Sequence, residues 1–194
     1  MNVLLIGPPG SGKGTQGERL AAHLKLEHIA AGDLLRAEVE SGTEIGQRAA
    51  ALMQRGVLVP DDLIISLVMP KVVAAAHANG YLLDGFPRSV EQAVETRRLA
   101  AQVGAAPDAV VYLEAPRDEL VRRILARAEV EGRPDDNLET VSNRLHVFDE
   151  ATRPLVDYYR GRGLLHVVNA AQSEDDVERE IVAALGAGTV AGSS

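Results

Sequence analysis

The chain has 194 residues, 46% of them hydrophobic and 25% charged, with a net charge of −8 at pH 7 and no cysteine. That length suits one α/β domain with a core of its own, and the lack of cysteine excludes disulfides and thiolate metal sites. The acidic balance argues against a nucleic-acid partner, so any polyanionic ligand must be met by basic residues gathered locally. The N-terminus has no signal-peptide order and its first apolar run is too short to span a membrane, so a cytoplasmic protein with no membrane partner is expected.

Asn2–Ile6 reads as a buried parallel strand that stops at Gly7-Pro8-Pro9-Gly10. From Lys13 to Leu24, Leu20, Ala21 and Leu24 fall at helical spacing. His28-Ile29-Ala30 is a candidate short strand. Residues 31–60 carry two short helices closed by Gly42 and Gly56 with no strand between them, the pattern of an inserted helical lobe. Val59-Pro60-Asp61-Asp62 ends the lobe and is expected to cap the next helix. Apolar runs at Tyr81-Leu82-Leu83, Ala109–Leu113 and 164–168 each precede a helical stretch. This alternation predicts a parallel sheet with helices on both faces. Pro154 predicts a kink in a helical run from Leu138 to Tyr159. Residues 186–194 have no core-forming pattern and read as a flexible tail.

Gly7-Pro8-Pro9-Gly10-Ser11-Gly12-Lys13 fits the Gly-x-x-x-x-Gly-Lys phosphate loop, and it lies between a strand and a helix, as its mechanism requires. Glycines let backbone N–H groups turn toward phosphate oxygens, the helix start adds positive potential, and Lys13 reaches the β- and γ-phosphates. Gly14 follows Lys13, and the hydroxyl comes one place later as Thr15. Asp84, at a strand end, is therefore the better candidate to hold Mg²⁺, through water.

A phosphate loop serves many functions. No Asn-Lys-x-Asp motif is present, which argues against a GTPase. A phosphotransferase needs a second anion site, and the arginines suggest one. Arg36 lies on the inserted lobe and Arg88 just beyond a strand end, where α/β folds place ligands. Arg123 and Arg127 are four apart on one helix, where like charges repel by about 0.2–0.5 kcal/mol unless screened. That pair fits either a solvated face or a phosphate site. Arg133 lies in a polar loop and Arg144 on the following helix.

With these motifs the chain resembles the adenylate kinase family of nucleoside monophosphate kinases over residues 1–185. The likeness rests on the loop through Gly14-Thr15, Gly32-Asp33-Leu34-Leu35-Arg36, Asp84-Gly85-Phe86-Pro87-Arg88 with Gln92, and Gly132-Arg133-Pro134-Asp135-Asp136-Asn137. It implies a P-loop nucleoside triphosphate hydrolase-type three-layer fold with a core (1–29, 60–125 and 137–185), a monophosphate-binding lobe (30–59) and a short lid (126–136). Gly10, Ser11, Gly12, Lys13, Gly14 and Thr15 would hold ATP phosphates, with Arg127 also on ATP and Gln172 bordering its adenine. Ala31, Arg36, Val57, Leu58, Val59, Gly85, Phe86, Pro87, Arg88 and Gln92 would hold AMP, with Arg133 and Arg144 on the acceptor side. Lys13, Arg88, Arg123, Arg133 and Arg144 would surround the moving phosphoryl group. The resemblance further implies Mg²⁺ carried with ATP, ADP as product and a monomeric enzyme. Some relatives build a zinc-binding lid on cysteines, which this chain lacks.

The Gln92 amide can both donate to and accept from an adenine edge. Ala31 stands where most adenylate kinases carry Thr and is similar to the UMP/CMP kinases. AMP is the expected acceptor, with UMP or CMP as the alternative. A non-catalytic ATP-binding switch on the same fold is a further alternative, though it would not require the full set of arginines.

Overall fold

In the computed structural model, which describes residues 1–131 and 137–190 (the backbone alone at 131 and 187–190), the first apolar run is strand β1, Asn2–Ile6. With β2 (Glu27–Ala30), β3 (Tyr81–Asp84), β4 (Ala109–Glu114) and β5 (Leu165–Asn169) it forms one parallel sheet, of order β2-β3-β1-β4-β5. β1 is central, which is why all five of its residues are buried and why it reads as a continuous apolar run. The strand order reverses at β1, so the loops leaving β1, β3 and β4 open around one crevice, where doubly wound sheets bind ligands. The register pairs Leu5 with Asp84, which sets that carboxylate beside the phosphate loop.

Alternate strand residues feed two cores. Leu4, Ile6, Leu83, Val110 and Tyr112 face the helices α4 (Asp61–Ala76), α5 (Val90–Gln102) and α8 (Pro154–Arg160). Val3, Leu5, Leu82, Val111 and Leu113 face α1 (Lys13–Leu24) and α9 (Glu174–Val190). Burying each such side chain contributes about 1.5–3 kcal/mol, an upper bound because unfolded chains are partly collapsed. A smaller cluster of Leu120, Ile124, Val141 and Leu145 joins α6 (Arg117–Glu131) to α7 (Leu138–Val147).

The inserted lobe is α2 (Ala31–Glu40) and α3 (Glu44–Gln54), with no strand between them, ending at Gly42 and Gly56 as their positions suggest. It is tied to α7: Thr140 Oγ1 donates to the Gln54 carbonyl at 3.1 Å and Asn143 Nδ2 to that of Arg55.

Three features differ from the sequence reading. The segment 59–62 supplies the cap position of α4 but no capping side chain. Pro60 occupies the cap position and Asp61 is the first helical residue, its carboxylate committed to Gln92 of α5 at 2.7 Å. The helical run across Pro154 is not simply kinked. A π-helical turn, Phe148–Thr152, separates α7 from α8, and the Arg153 N–H reaches back five residues to the Phe148 carbonyl at 2.8 Å. Pro154 has no N–H and its ring would strike the carbonyl four residues back, so one widened turn lets the next helix begin on it. Finally, α9 runs on through Gly186 to Val190, past the boundary expected at 186. A helix already nucleated and anchored by buried Ile181 and Leu185 propagates through weak formers at little cost. Residues 191–194 lie outside the described residues.

Candidate active site

The turn from β1 into α1 is shaped by glycines. Gly10 has φ +83° and Gly12 φ +86°, and a Cβ on Gly10 would lie 2.6 Å from the Leu120 carbonyl and 2.9 Å from Ile124 Cγ1. The loop therefore lies directly against α6. Ser11 is buried, with its N–H bonded to the Pro8 carbonyl at 3.2 Å and its hydroxyl without a partner. Gly14 and Thr15 are exposed at the first turn of α1.

Lys13 is half-buried and its ammonium donates to the Pro8 carbonyl at 2.8 Å. Burial is the main influence on it and brings its pKa from 10.5 down to about 8. Asp84 opposes that shift, whereas the charges of Arg88, Arg144 and Arg127 reinforce it. Arg88, Arg127 and Arg144, from the β3–α5 loop, α6 and α7, thus all act on Lys13 of α1. Asp84 is held above the usual carboxylate range by burial, countered first by Lys13.

On the acceptor side, an open cleft is lined by Ala31, Arg36, Val57, Leu58, Val59, Gly85, Phe86, Arg88, Gln92 and Arg144. Gly32, Leu35, Met53, Gly56 and Ile64 complete it. Pro87 is buried and does not line the cleft. Arg36 is ion-paired with Asp33 one turn back, within its own motif. Arg88 Nε donates to the Gly85 carbonyl at 2.7 Å. Gln92 is 2% exposed and already engaged: its amide oxygen accepts from the Arg88 N–H at 2.7 Å, and its NH₂ donates to Asp61 at 2.7 Å. One amide hydrogen and one lone pair remain for a base, fewer than the side chain alone suggested.

Arg123 does not line this cleft. Its guanidinium donates to Glu119 at 2.6 Å and to the Ala170 carbonyl at 2.8 Å, at the end of β5. Glu119 is shared with Arg122 and is held near 2, first by Arg122 and then by Arg123. Arg123 thus meets the chain's own carboxylate one turn back. Gln172 is exposed, and its amide is bonded to the Asn169 carbonyl at 3.0 Å and to Glu180 at 2.6 Å. Arg133 lies outside the described residues. Asn137, the last residue of its motif, caps α7 by accepting from the Thr140 N–H at 3.0 Å.

A second cavity, of about 470 Å³, lies behind Pro8 between β4, α6 and the π-turn, lined by Tyr112, Leu120, Phe148 and Asp149 among others. It includes neither Lys13 nor any of the three arginines that act on it. Sequence reading missed Asp61, Glu119 and Thr152, each of which holds a site residue, because their partners come from other turns or distant elements. For Glu119 a signal existed: Glu119 and Arg123 stand at i and i+4.

The adenylate kinase family model matches residues 5–164. An adenylate kinase of Thermus thermophilus is 48% identical over 184 residues, covering 95% of this chain and 96% of that protein. The adenylate kinase of Stenotrophomonas maltophilia K279a is 44% identical, covering 95% and 99%. That of Xanthomonas campestris pv. campestris B100 is 45% identical, covering 96% and 100%.

Proposed function

The chain belongs to the adenylate kinase family and is a nucleoside monophosphate kinase, and we propose that it moves the γ-phosphate of Mg-ATP onto AMP at the crevice around Lys13, giving two ADP. The observation that carries the site assignment is the gathering of Arg88, Arg127 and Arg144 about Lys13, with Asp84 beside it, in a chain of net charge −8. These charges would meet two phosphate chains brought into the crevice.

The acceptor is a phosphate oxygen already ionised near neutral pH, so no general base is needed. Catalysis rests on aligning two anions and stabilising charge on the moving group. The loop from Gly10 to Thr15 holds the ATP phosphates, with Arg127 beside them and Gln172 near the adenine. Lys13, Arg88 and Arg144, together with Arg133 and Arg123, stabilise the transferred group. Arg36 binds the acceptor phosphate, while Val57–Val59 and Gln92 border its base. The lobe (30–59) and lid (126–136) close over both substrates and exclude water.

Mg²⁺ fits this donor set. The described residues hold no cluster of three His, Cys, Asp or Glu side chains. Asp84 stands beside the loop, which suits an ion that keeps several waters and is held by substrate phosphates. Asp84 would hold it through water, and the ion would neutralise charge between the phosphates. No helix among the described residues is long and apolar enough to cross a membrane. We read the enzyme as a cytoplasmic monomer.

The test incubates the protein with Mg-ATP and AMP, UMP or CMP in turn and follows ADP. Turnover with AMP at least about tenfold above UMP and CMP is expected, since a site that pairs with a base edge rejects the wrong base strongly. Preference for UMP or CMP would assign the acceptor to those bases, and no acceptor-dependent turnover would make the protein a binding switch.

A further inference from the structure

We infer that Thr152 is a positioning residue for Arg88, and that the π-turn exists to aim it. Arg88 sits in the irregular segment between β3 and α5, where no strand or helix partner fixes its peptide groups. Side chains do so instead. The Arg88 N–H is accepted by Gln92, and the Arg88 carbonyl accepts from Thr152 Oγ1 at 2.8 Å. Both clamping residues are almost fully buried, Gln92 at 2% and Thr152 at 6% exposure. Water therefore cannot readily replace either bond.

The π-turn accounts for the direction of the Thr152 hydroxyl. In an ordinary helix a threonine hydroxyl bonds back to the carbonyl four residues earlier, here that of Phe148. In the widened turn that carbonyl takes the N–H five residues on, Arg153, and the extra residue rotates Thr152 off the ordinary helical line. The hydroxyl is then turned outward across 64 residues of sequence to Arg88. The turn itself is firmly seated. Phe148 stacks on Tyr112 of β4 with ring centroids 6.5 Å apart, Asp149 is ion-paired to Arg117 of α6 and to Arg153, and Leu155 is fully buried. The same continuous helical run carries Arg144 two turns upstream. Thr152 thus ties the backbone of Arg88 to the element that carries Arg144, fixing their spacing.

This inference rests on the reading of Arg88 as a transfer residue. The experiment is a double-mutant cycle on the intact chain, measuring transfer from Mg-ATP to AMP together with melting temperature. Thr152→Val keeps the shape and removes the donor, and it is expected to lower kcat about 10–100-fold, as loss of alignment does, with KM for ATP within about twofold. Thr152→Ser, which keeps the donor, should stay within about threefold of wild type. In an Arg88→Ala background, Thr152→Val should change the residual rate by less than about twofold, because it acts through the missing side chain. If Thr152→Val does not fold, Thr152→Ala takes its place in the cycle. An equal loss in both backgrounds, a loss in Thr152→Ser as large as in Thr152→Val, or no loss at all would overturn the inference. Near-normal turnover by Arg88→Ala alone would remove the site reading beneath it, a result distinct from these.

Discussion

Replacing Lys13 with Met should abolish transfer and at the same time stabilise the empty protein. Burial and three neighbouring arginines bring the Lys13 ammonium from 10.5 to about 8, against the pull of Asp84. A displacement of that size weighs about 3 kcal/mol against the charged form at pH 7. Methionine keeps the apolar stem and removes the charge, but it also forfeits the bond to the Pro8 carbonyl, worth about 1–2 kcal/mol. The net expectation is a gain of about 1–2 kcal/mol, or about 2–6 °C in Tm for a domain of this size. The pH dependence gives the gain a signature. Between about pH 8 and 10.5 the unfolded chain still holds the proton that folded Lys13 has released, so wild-type stability climbs with pH across this window. The variant lacks that slope, so its advantage is full at pH 7 and largely gone by pH 10. Thermal unfolding followed by circular dichroism without nucleotide, at pH 7 and pH 10, measures both. A variant that melts below wild type at pH 7, or whose advantage is the same at both pH values, would refute the reasoning. With ATP present the order should reverse, because only wild type gains binding free energy from the triphosphate.

Gly10→Ala places a methyl against the Leu120 carbonyl and Ile124 at a left-handed φ, and should destabilise the fold by about 1–3 kcal/mol in a denaturant titration. It should also weaken ATP binding, measured by calorimetry. Asp61→Ala removes the acceptor that fixes the Gln92 amide, and steady-state kinetics should show KM for AMP raised about 5–10-fold, the size of one buried hydrogen bond, with KM for ATP unchanged. Glu119→Gln removes the carboxylate that Arg122 and Arg123 share. At low ionic strength the variant's Tm should fall below wild type, and the deficit should shrink in salt.

How far the sequence revealed the site depends on how local each cause is. The phosphate loop was legible because strand, glycines and lysine follow one another within a dozen residues, and each acts through its own backbone. The lobe was legible from two helices closed by glycines at 42 and 56. The role of Asp61 was hidden, since its α5 partner lies 31 residues away. Gln92 looked free for a base because nothing local shows that Arg88 and Asp61 already occupy half its amide. The π-turn was invisible for a similar reason. Pro154 announces a disturbance, but whether a helix bends or gains a residue is decided by what Phe148 and Thr152 meet in β4 and beside Arg88.

The central claim is that the cations gathered from four elements act together on the transferred phosphate, and the rate of transfer by Arg88→Ala tests it most directly. A guanidinium aimed at developing charge contributes about 10²–10³ in kcat. The account predicts a loss of that order at saturating Mg-ATP and AMP, with a melting curve close to wild type because Arg88 is exposed at the cleft. Turnover within about threefold of wild type would contradict it.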